Sequence, residues 1–229
     1  MSWREFWNRE NSIYCNHRHR ALHDDRIARD MAALVETPES LVLDFGCGEA
    51  SSAALVADKC AQLYLYDAAP NVREHLRLRF SRNAKITVLD GDGLAKVDDA
   101  SLDLIVVNSV LQYLSRAEFE ALVDSARVKL KSTGRIVIAD VIPVGAKATD
   151  DIRALLKFAL QGGFFFAALA GLVTTFFSDY RKLRAELGLA RYSEAEVGAI
   201  FAAHGFKALR AASNIGHNQS RMMFVATLP

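Results

Sequence analysis

Leu41-Val42-Leu43-Asp44-Phe45-Gly46-Cys47-Gly48-Glu49-Ala50-Ser51-Ser52 runs from an apolar stretch into a small-residue turn, and alanine-rich sequence follows from Ala53 to Ala57. This order reads as strand, tight turn, helix. Glycine lets the backbone approach a ligand closely at the carboxyl end of a strand, and the helix that follows begins there with free amide donors. In an open α/β sheet, that is where a nucleotide-like cofactor binds.

The charges of the turn narrow the choice of cofactor. A dinucleotide-binding turn sets a pyrophosphate on the helix N-terminus and carries Gly or Ala at its sixth position. Here that position is Ser51, and the turn holds Asp44 and Glu49. Two acids suit a ligand without phosphate that bears an ammonium and a sulfonium, and S-adenosylmethionine is such a ligand. Further on, Gln62-Leu63-Tyr64-Leu65-Tyr66-Asp67 reads as a second strand ending in an acid, roughly twenty residues beyond the turn, where a carboxylate can accept both ribose hydroxyls. Asp67 serves NAD or S-adenosylmethionine equally.

With an apolar strand, Asp44, Gly46 and Gly48 in order, and Ala50 where a third glycine is usual, the sequence resembles the class I S-adenosylmethionine-dependent methyltransferases. The resemblance is close over residues 38–140 and holds in outline elsewhere. It implies a cofactor site built from Asp44, Gly46, Cys47, Gly48, Asp67, Ala68, Asp92, Gly93 and Asn108. Asp92, in Asp90-Gly91-Asp92-Gly93 after the strand Lys85–Leu89, would receive the adenine amino group, and Asn108 would touch the methionine part.

The remaining elements predict an α/β fold: a doubly wound, mostly parallel, Rossmann-like sheet of seven strands with a C-terminal antiparallel hairpin. Ser101–Asn108 is almost wholly apolar, as a central parallel strand should be, and Arg135–Asp140 supplies a fifth strand. Ser115 with Glu118 forms a capping box before the helix between them, and Ser193-Glu194-Ala195-Glu196 opens another helix that ends at His204-Gly205. Phe206–Ala212 and Met222–Leu228 form the closing hairpin around a polar loop in which His217 reads as a surface residue. The 229 residues suit one domain, 1–229, with an N-terminal helical lid over 1–37 and a helical cap insertion over 143–192.

Catalytic candidates are sparse. In the lid, Tyr14-Cys15-Asn16-His17-Arg18-His19-Arg20 is a polar and aromatic patch; His17 is the candidate general base, and Tyr113, past the fourth strand, a candidate wall of the acceptor pocket. No metal site is expected, because no Cys or carboxylate cluster completes the histidines. Residues 158–177 carry no formal charge. They read as buried helices or as a cap whose apolar wall receives a hydrophobic acceptor or makes peripheral contact with a membrane surface.

Formal net charge is +1, without a run of Lys and Arg among aromatics, so nucleic acid is disfavoured as an obligatory ligand. The three cysteines, Cys15, Cys47 and Cys60, suit a reducing cytoplasm, and the start of the chain shows no secretory signal. The expected function is methyl transfer from S-adenosylmethionine to a small-molecule or lipid-like acceptor, with oligomeric state open. The rival readings are a non-catalytic cofactor-binding partner protein and a nicotinamide-dependent oxidoreductase.

Overall fold

The apolar runs pair as parallel strands because each is buried on both faces and hence needs helices on both sides. In the computed structural model, which describes residues 2–8, 14–176 and 186–229, the strands are β1 Leu41–Phe45, β2 Gln62–Tyr66, β3 Ile86–Leu89, β4 Leu102–Asn108, β5 Leu130–Val141, β6 Lys207–Arg210 and β7 Met222–Thr227. They form one sheet in the order β3-β2-β1-β4-β5-β7-β6. β7 runs antiparallel to both of its neighbours, and the other six strands run in one direction. The fold is the Rossmann-like α/β sheet with its antiparallel closing hairpin. The order reverses between β1 and β4, the switch point at which such sheets open a crevice.

Alternation along β4 and β5 divides the core in two. Ile105, Val107, Ile136 and Ile138 face one layer with Phe119, Phe201 and Phe224. Val106, Val137 and Ala139 face the other with Met31, Ala57 and Leu76. Phe119, Phe201 and Phe224 are fully buried, each contributing roughly 1.5–3 kcal/mol.

The helices start where local chemistry permits. α1 spans Trp3–Trp7, α2 His17–Ala32, α3 Ala54–Ala57, α4 Pro70–Phe80, α5 Gly91–Ala95, α6 Arg116–Lys129, α7 Ala148–Gly162, α8 Phe165–Phe176 and α9 Glu194–Ala203. Pro70 sits in the first turn of α4, and Ser115 and Ser193 close capping boxes with Glu118 and Glu196. Gly205 ends α9 in the left-handed region at φ 79°.

Several expectations need adjustment. Among the described residues the lid holds two helices, and Tyr14 to Asn16 lie outside both, with the Asn16 side chain capping α2 by accepting from the His19 amide. Residues 9–13 of the lid lie outside the described residues. Asp90–Gly93 opens α5, with Asp90 at its N-cap accepting from the Gly93 amide at 2.8 Å. β5 begins at Leu130, five residues before Arg135, since Leu130 pairs with Leu102 ahead of a register shift.

The insertion after β5 is pinned at its stem. The Tyr192 amide donates to the Ile142 carbonyl, and the Val144 amide to the Tyr192 carbonyl. From this stem α7 and α8 rise, joined through Gly163 at φ 70°. The cap read over 143–192 and the apolar stretch ending at Phe177 both extend into residues outside those described. No described helix is long and apolar enough to cross a membrane.

Candidate functional site

At the carboxyl end of β1 the chain turns back on itself, and two amides, Gly46 and Cys47, donate to the Tyr66 carbonyl at 2.7 and 3.1 Å. Gly46 has φ 76°, and a Cβ there would lie 2.3 Å from Val110 Cγ2. Gly48 has φ 56°, and a Cβ there would meet nothing within 4 Å. One glycine therefore closes the turn against the segment after β4, and the other leaves its outer side open. Ala50 is also left-handed at φ 41°, which explains why glycine is usual there and why alanine is strained.

Two acids converge on this turn. Asp67 accepts from the Gly48 amide at 3.0 Å and from the Ala69 amide at 2.8 Å. Asp44, only 8% exposed, is pushed up to about 7 by burial and then by the charge of Asp67. Burial raises Asp67 too, opposed by its two amide donors and by Arg73. Cys47 keeps its thiol, driven well above the ordinary value by desolvation first and by Asp44 next. Such an acidic hollow is relieved by a cation.

Glu49 behaves differently from what its place in the turn suggests. Arg79 and Arg20 pair with it at 2.9 and 3.1 Å, and His75 lies 3.7 Å away. Its charge is compensated, so of the two acids in the turn only Asp44 counts against a phosphate.

At the neighbouring strand end, the buried Asn108 Oδ1 has no hydrogen-bond partner among the described residues, which is costly unless a ligand donor fills it. Asp92 is exposed in the first turn of α5, with Gly93 half-buried beside it and Ala68 exposed next to Asp67. Asp44, Gly46, Cys47, Gly48, Asp67 and Asn108 thus stand at the carboxyl ends of the neighbouring strands β1, β2 and β4. Asp92 and Gly93 stand at the end of β3, two strands from β1.

The residues proposed for chemistry do not join that group directly. His17 is exposed at the first position of α2. Tyr113 packs under the lid, its ring centroid 4.7 Å from Trp3 and 5.7 Å from Trp7.

The lid instead brings other residues together. The Tyr14 hydroxyl donates to Asp24 Oδ1 of α2 at 3.4 Å, and the buried Asp24 Oδ2 has no hydrogen-bond partner among the described residues. Alongside lies a group of imidazoles. His19 stacks on Phe164 at 4.8 Å, His217 stacks on Phe158 at 4.5 Å, and His23 stands 5.5 Å from His217 and 6.1 Å from His19. Burial lowers all three, His23 to about 3 and His217 to about 4, so they are neutral. His19 Nδ1 accepts from the Cys15 amide at 3.2 Å, whereas the buried His23 Nδ1 has no partner among the described residues. His217 is therefore a wall residue, contrary to its reading as a surface histidine. Among the described residues no group of three His, Cys, Asp or Glu side chains is arranged to hold a metal ion.

Beyond Asn108, Ser109 and Asp140 are left-handed at φ 58° and 59° at adjacent strand ends, strain of the kind that gathers at functional sites. Ser109 Oγ donates to Asp140 Oδ2 at 2.8 Å, and Arg221 reaches Asp151 at 2.7 Å and Asp140 at 4.0 Å. Sequence reasoning missed this group, although Asp140 repeats the pattern of an acid closing a strand. A recess of about 390 Å³ lined by Arg77, Phe80 and Ile86 lies along the edge strand β3, away from the switch point.

Residues 43–138 match the model of a methyltransferase domain. No curated protein is similar enough to match the chain. Among solved structures, magnesium protoporphyrin IX methyltransferase from Synechocystis PCC 6803, with bound S-adenosylmethionine, is 16% identical with TM-score 0.59, covering 99% of this chain and 89% of that one. A SAM-dependent methyltransferase of Leishmania major is 14% identical with TM-score 0.60, covering 99% and 81%. The YcgJ protein of Bacillus is 17% identical with TM-score 0.56, covering 80% and 69%. These likenesses share the fold, and residues 43–138, which hold the glycine turn and its acids, match a methyltransferase domain.

Proposed function

We propose that the protein transfers a methyl group from S-adenosylmethionine to a small-molecule or hydrophobic acceptor held under the lid and cap. The observation that carries this reading is the acidic hollow of Asp44 and Asp67 around the open side of Gly48, with the unpartnered Asn108 Oδ1 beside it. When bound, S-adenosylmethionine supplies an electrophilic methyl group on a sulfonium. Asp44 and Asn108 would hold the ammonium end, and Asp67 would accept the ribose hydroxyls with the lone pairs left by the Gly48 and Ala69 amides. Asp92, exposed in the first turn of α5, would accept from the adenine amino group.

Methyl transfer from a sulfonium is an in-line displacement, so the chain's task is to align the acceptor and exclude water. The imidazole and phenylalanine rings between α2, α7 and the β6–β7 loop pack into an apolar cluster beside α2 that would serve as one wall for the acceptor. His23 contributes there as a neutral hydrogen-bond acceptor, a role that its position favours over the exposed His17. The free thiols of Cys15, Cys47 and Cys60 support a reducing, cytoplasmic setting.

Calorimetric titration with S-adenosylhomocysteine, run beside NAD and repeated on Asp67→Ala, tests the reading. Binding of the homocysteine compound alone, weakened at least about tenfold in the variant (about 1.4 kcal/mol), is the expected result. Preference for NAD, or no binding of either, would overturn it.

A further inference from the structure

The outer wall of the cap is apolar where a soluble protein is polar. Phe166 is 85% exposed, Leu160 65%, Val173 63% and Leu169 41%. Phe166, Leu169 and Val173 recur at helical spacing on α8, which contains no charged residue. The inner wall of the same two helices is apolar as well, with Ala159, Phe164 and Ala168 buried. A helix that is apolar all round is either enclosed by protein or bathed in lipid. The twelve described residues of α8, about 18 Å at 1.5 Å per residue, fall short of a hydrocarbon core about 30 Å thick, and no described helix is long and apolar enough to cross a membrane.

What meets this wall is indicated by charge. On α7, Arg153, Lys157 and Leu160 follow one another at helical spacing and are all exposed, so two cations share a stripe with an exposed leucine. The acids of α7 lie in its first turn and are engaged: Asp150 accepts from the Lys147 amide, and Asp151 pairs with Arg221 and Asn218. A two-fold contact with a second copy would set Arg153 and Lys157 against like charges, with no carboxylate on either stripe to answer them. An anionic surface with an apolar interior satisfies both features.

We propose that the outer face of α7 and α8 docks on an anionic lipid surface, lying in the headgroup region with Leu160, Phe166 and Val173 inserted and Arg153 and Lys157 on lipid phosphates. Phe158 of α7 and Phe164 between the two helices stack on His217 and His19, so docking would bring the imidazole cluster to the membrane boundary. The docking surface is independent of the methyl-transfer reading.

Co-sedimentation of the full chain with phosphatidylcholine vesicles, with and without phosphatidylglycerol, provides the test. Binding to the mixed vesicles should exceed binding to phosphatidylcholine at least tenfold and weaken with added salt. Phe166→Ser with Val173→Ser, and separately Arg153→Glu with Lys157→Glu, should each lower it at least tenfold. Leu209→Ser, at an exposed leucine on the edge strand β6, should not change it. Unchanged melting and unchanged S-adenosylhomocysteine binding in the variants would show that they are folded. The proposal is overturned if wild type ignores the mixed vesicles, if the serine pair binds as well as wild type, or if the serine pair abolishes a concentration-dependent dimer in place of vesicle binding.

Discussion

Asp44 carries the sharpest consequence of the site's electrostatics. Its folded value of about 7 lies above the ordinary 3.8, so between those limits the native state holds a proton that the unfolded chain has released. Stability from this group is therefore complete below about pH 4 and lost as pH rises through about 7, with a total on the order of 4 kcal/mol. An ammonium placed beside Asp44 favours the carboxylate and returns it to the ionised form. Binding of S-adenosylhomocysteine near pH 6 should accordingly release up to about one proton, read from calorimetric enthalpies in buffers of different ionisation enthalpy. Asp44→Asn should bind more weakly and show no release; release unchanged in that variant would assign the proton elsewhere. Ala50 makes a second prediction at this scale. Its left-handed φ of 41° costs a side-chain-bearing residue about 1–2 kcal/mol, part of which is offset because glycine is freer in the unfolded chain. Ala50→Gly should raise the denaturation midpoint by about 1 kcal/mol in stability, and a lowered midpoint would contradict the strain.

The lid and cap meet through groups that dislike charge, and this is a property of elements rather than of one side chain. His19 and His23 come from α2, Phe158 from α7, and His217 from the loop between β6 and β7. Arg18 of α2 also donates to the Gly162 carbonyl at 2.5 Å, tying the lid to the end of α7. His23 and His217 have folded values of about 3 and 4 against the ordinary 6.5. Here the unfolded chain takes up protons that the native state refuses, so their contribution is complete above about pH 6.5 and lost as pH falls, by about 2 kcal/mol for each histidine at pH 5. Hydrogen exchange of α2 and α7 should quicken below pH 6 before that of β4 and β5. His217→Phe, which keeps the stack on Phe158, should remove about one proton from the pH dependence of stability. A slope unchanged by that substitution would show that the histidine is protonated alike in both states. The sequence concealed this cluster because His19 and His217 are almost two hundred residues apart, and nothing local to the loop after Ala212 distinguishes a ring that stacks on α7 from one that faces water.

For the molecule as a whole, legibility followed the range of the forces involved. The seven strands were readable because double-sided burial writes continuous apolar runs such as Leu104 to Val107, and the capping boxes at Ser115 and Ser193 are three-residue patterns that need no tertiary partner. Asp44, Gly46, Gly48 and Asp67 were readable because they cluster at the first two strand ends. Glu49 was misjudged because its compensation by Arg20 and Arg79 comes from α2 and α4. Ser109, Asp140 and Arg221 were missed because left-handed backbone at a non-glycine residue leaves no mark in the sequence. The proposed cofactor site draws on β1, β2 and β4, and Arg20 ties α2 to the glycine turn through Glu49, so ligand binding should be felt by the entire fold. A ligand at about one hundred times its dissociation constant stabilises the state that binds it by about 2.7 kcal/mol. In a chain of 229 residues each kcal/mol moves the melting temperature by about 2–4 °C. S-adenosylhomocysteine at that excess should therefore raise melting by about 5–10 °C, NAD at the same concentration should leave it unchanged, and Asp67→Ala should lose the rise while retaining its own cooperative transition. A rise that persists in Asp67→Ala would place the ligand away from the strand ends of β1 and β2, whatever its chemistry.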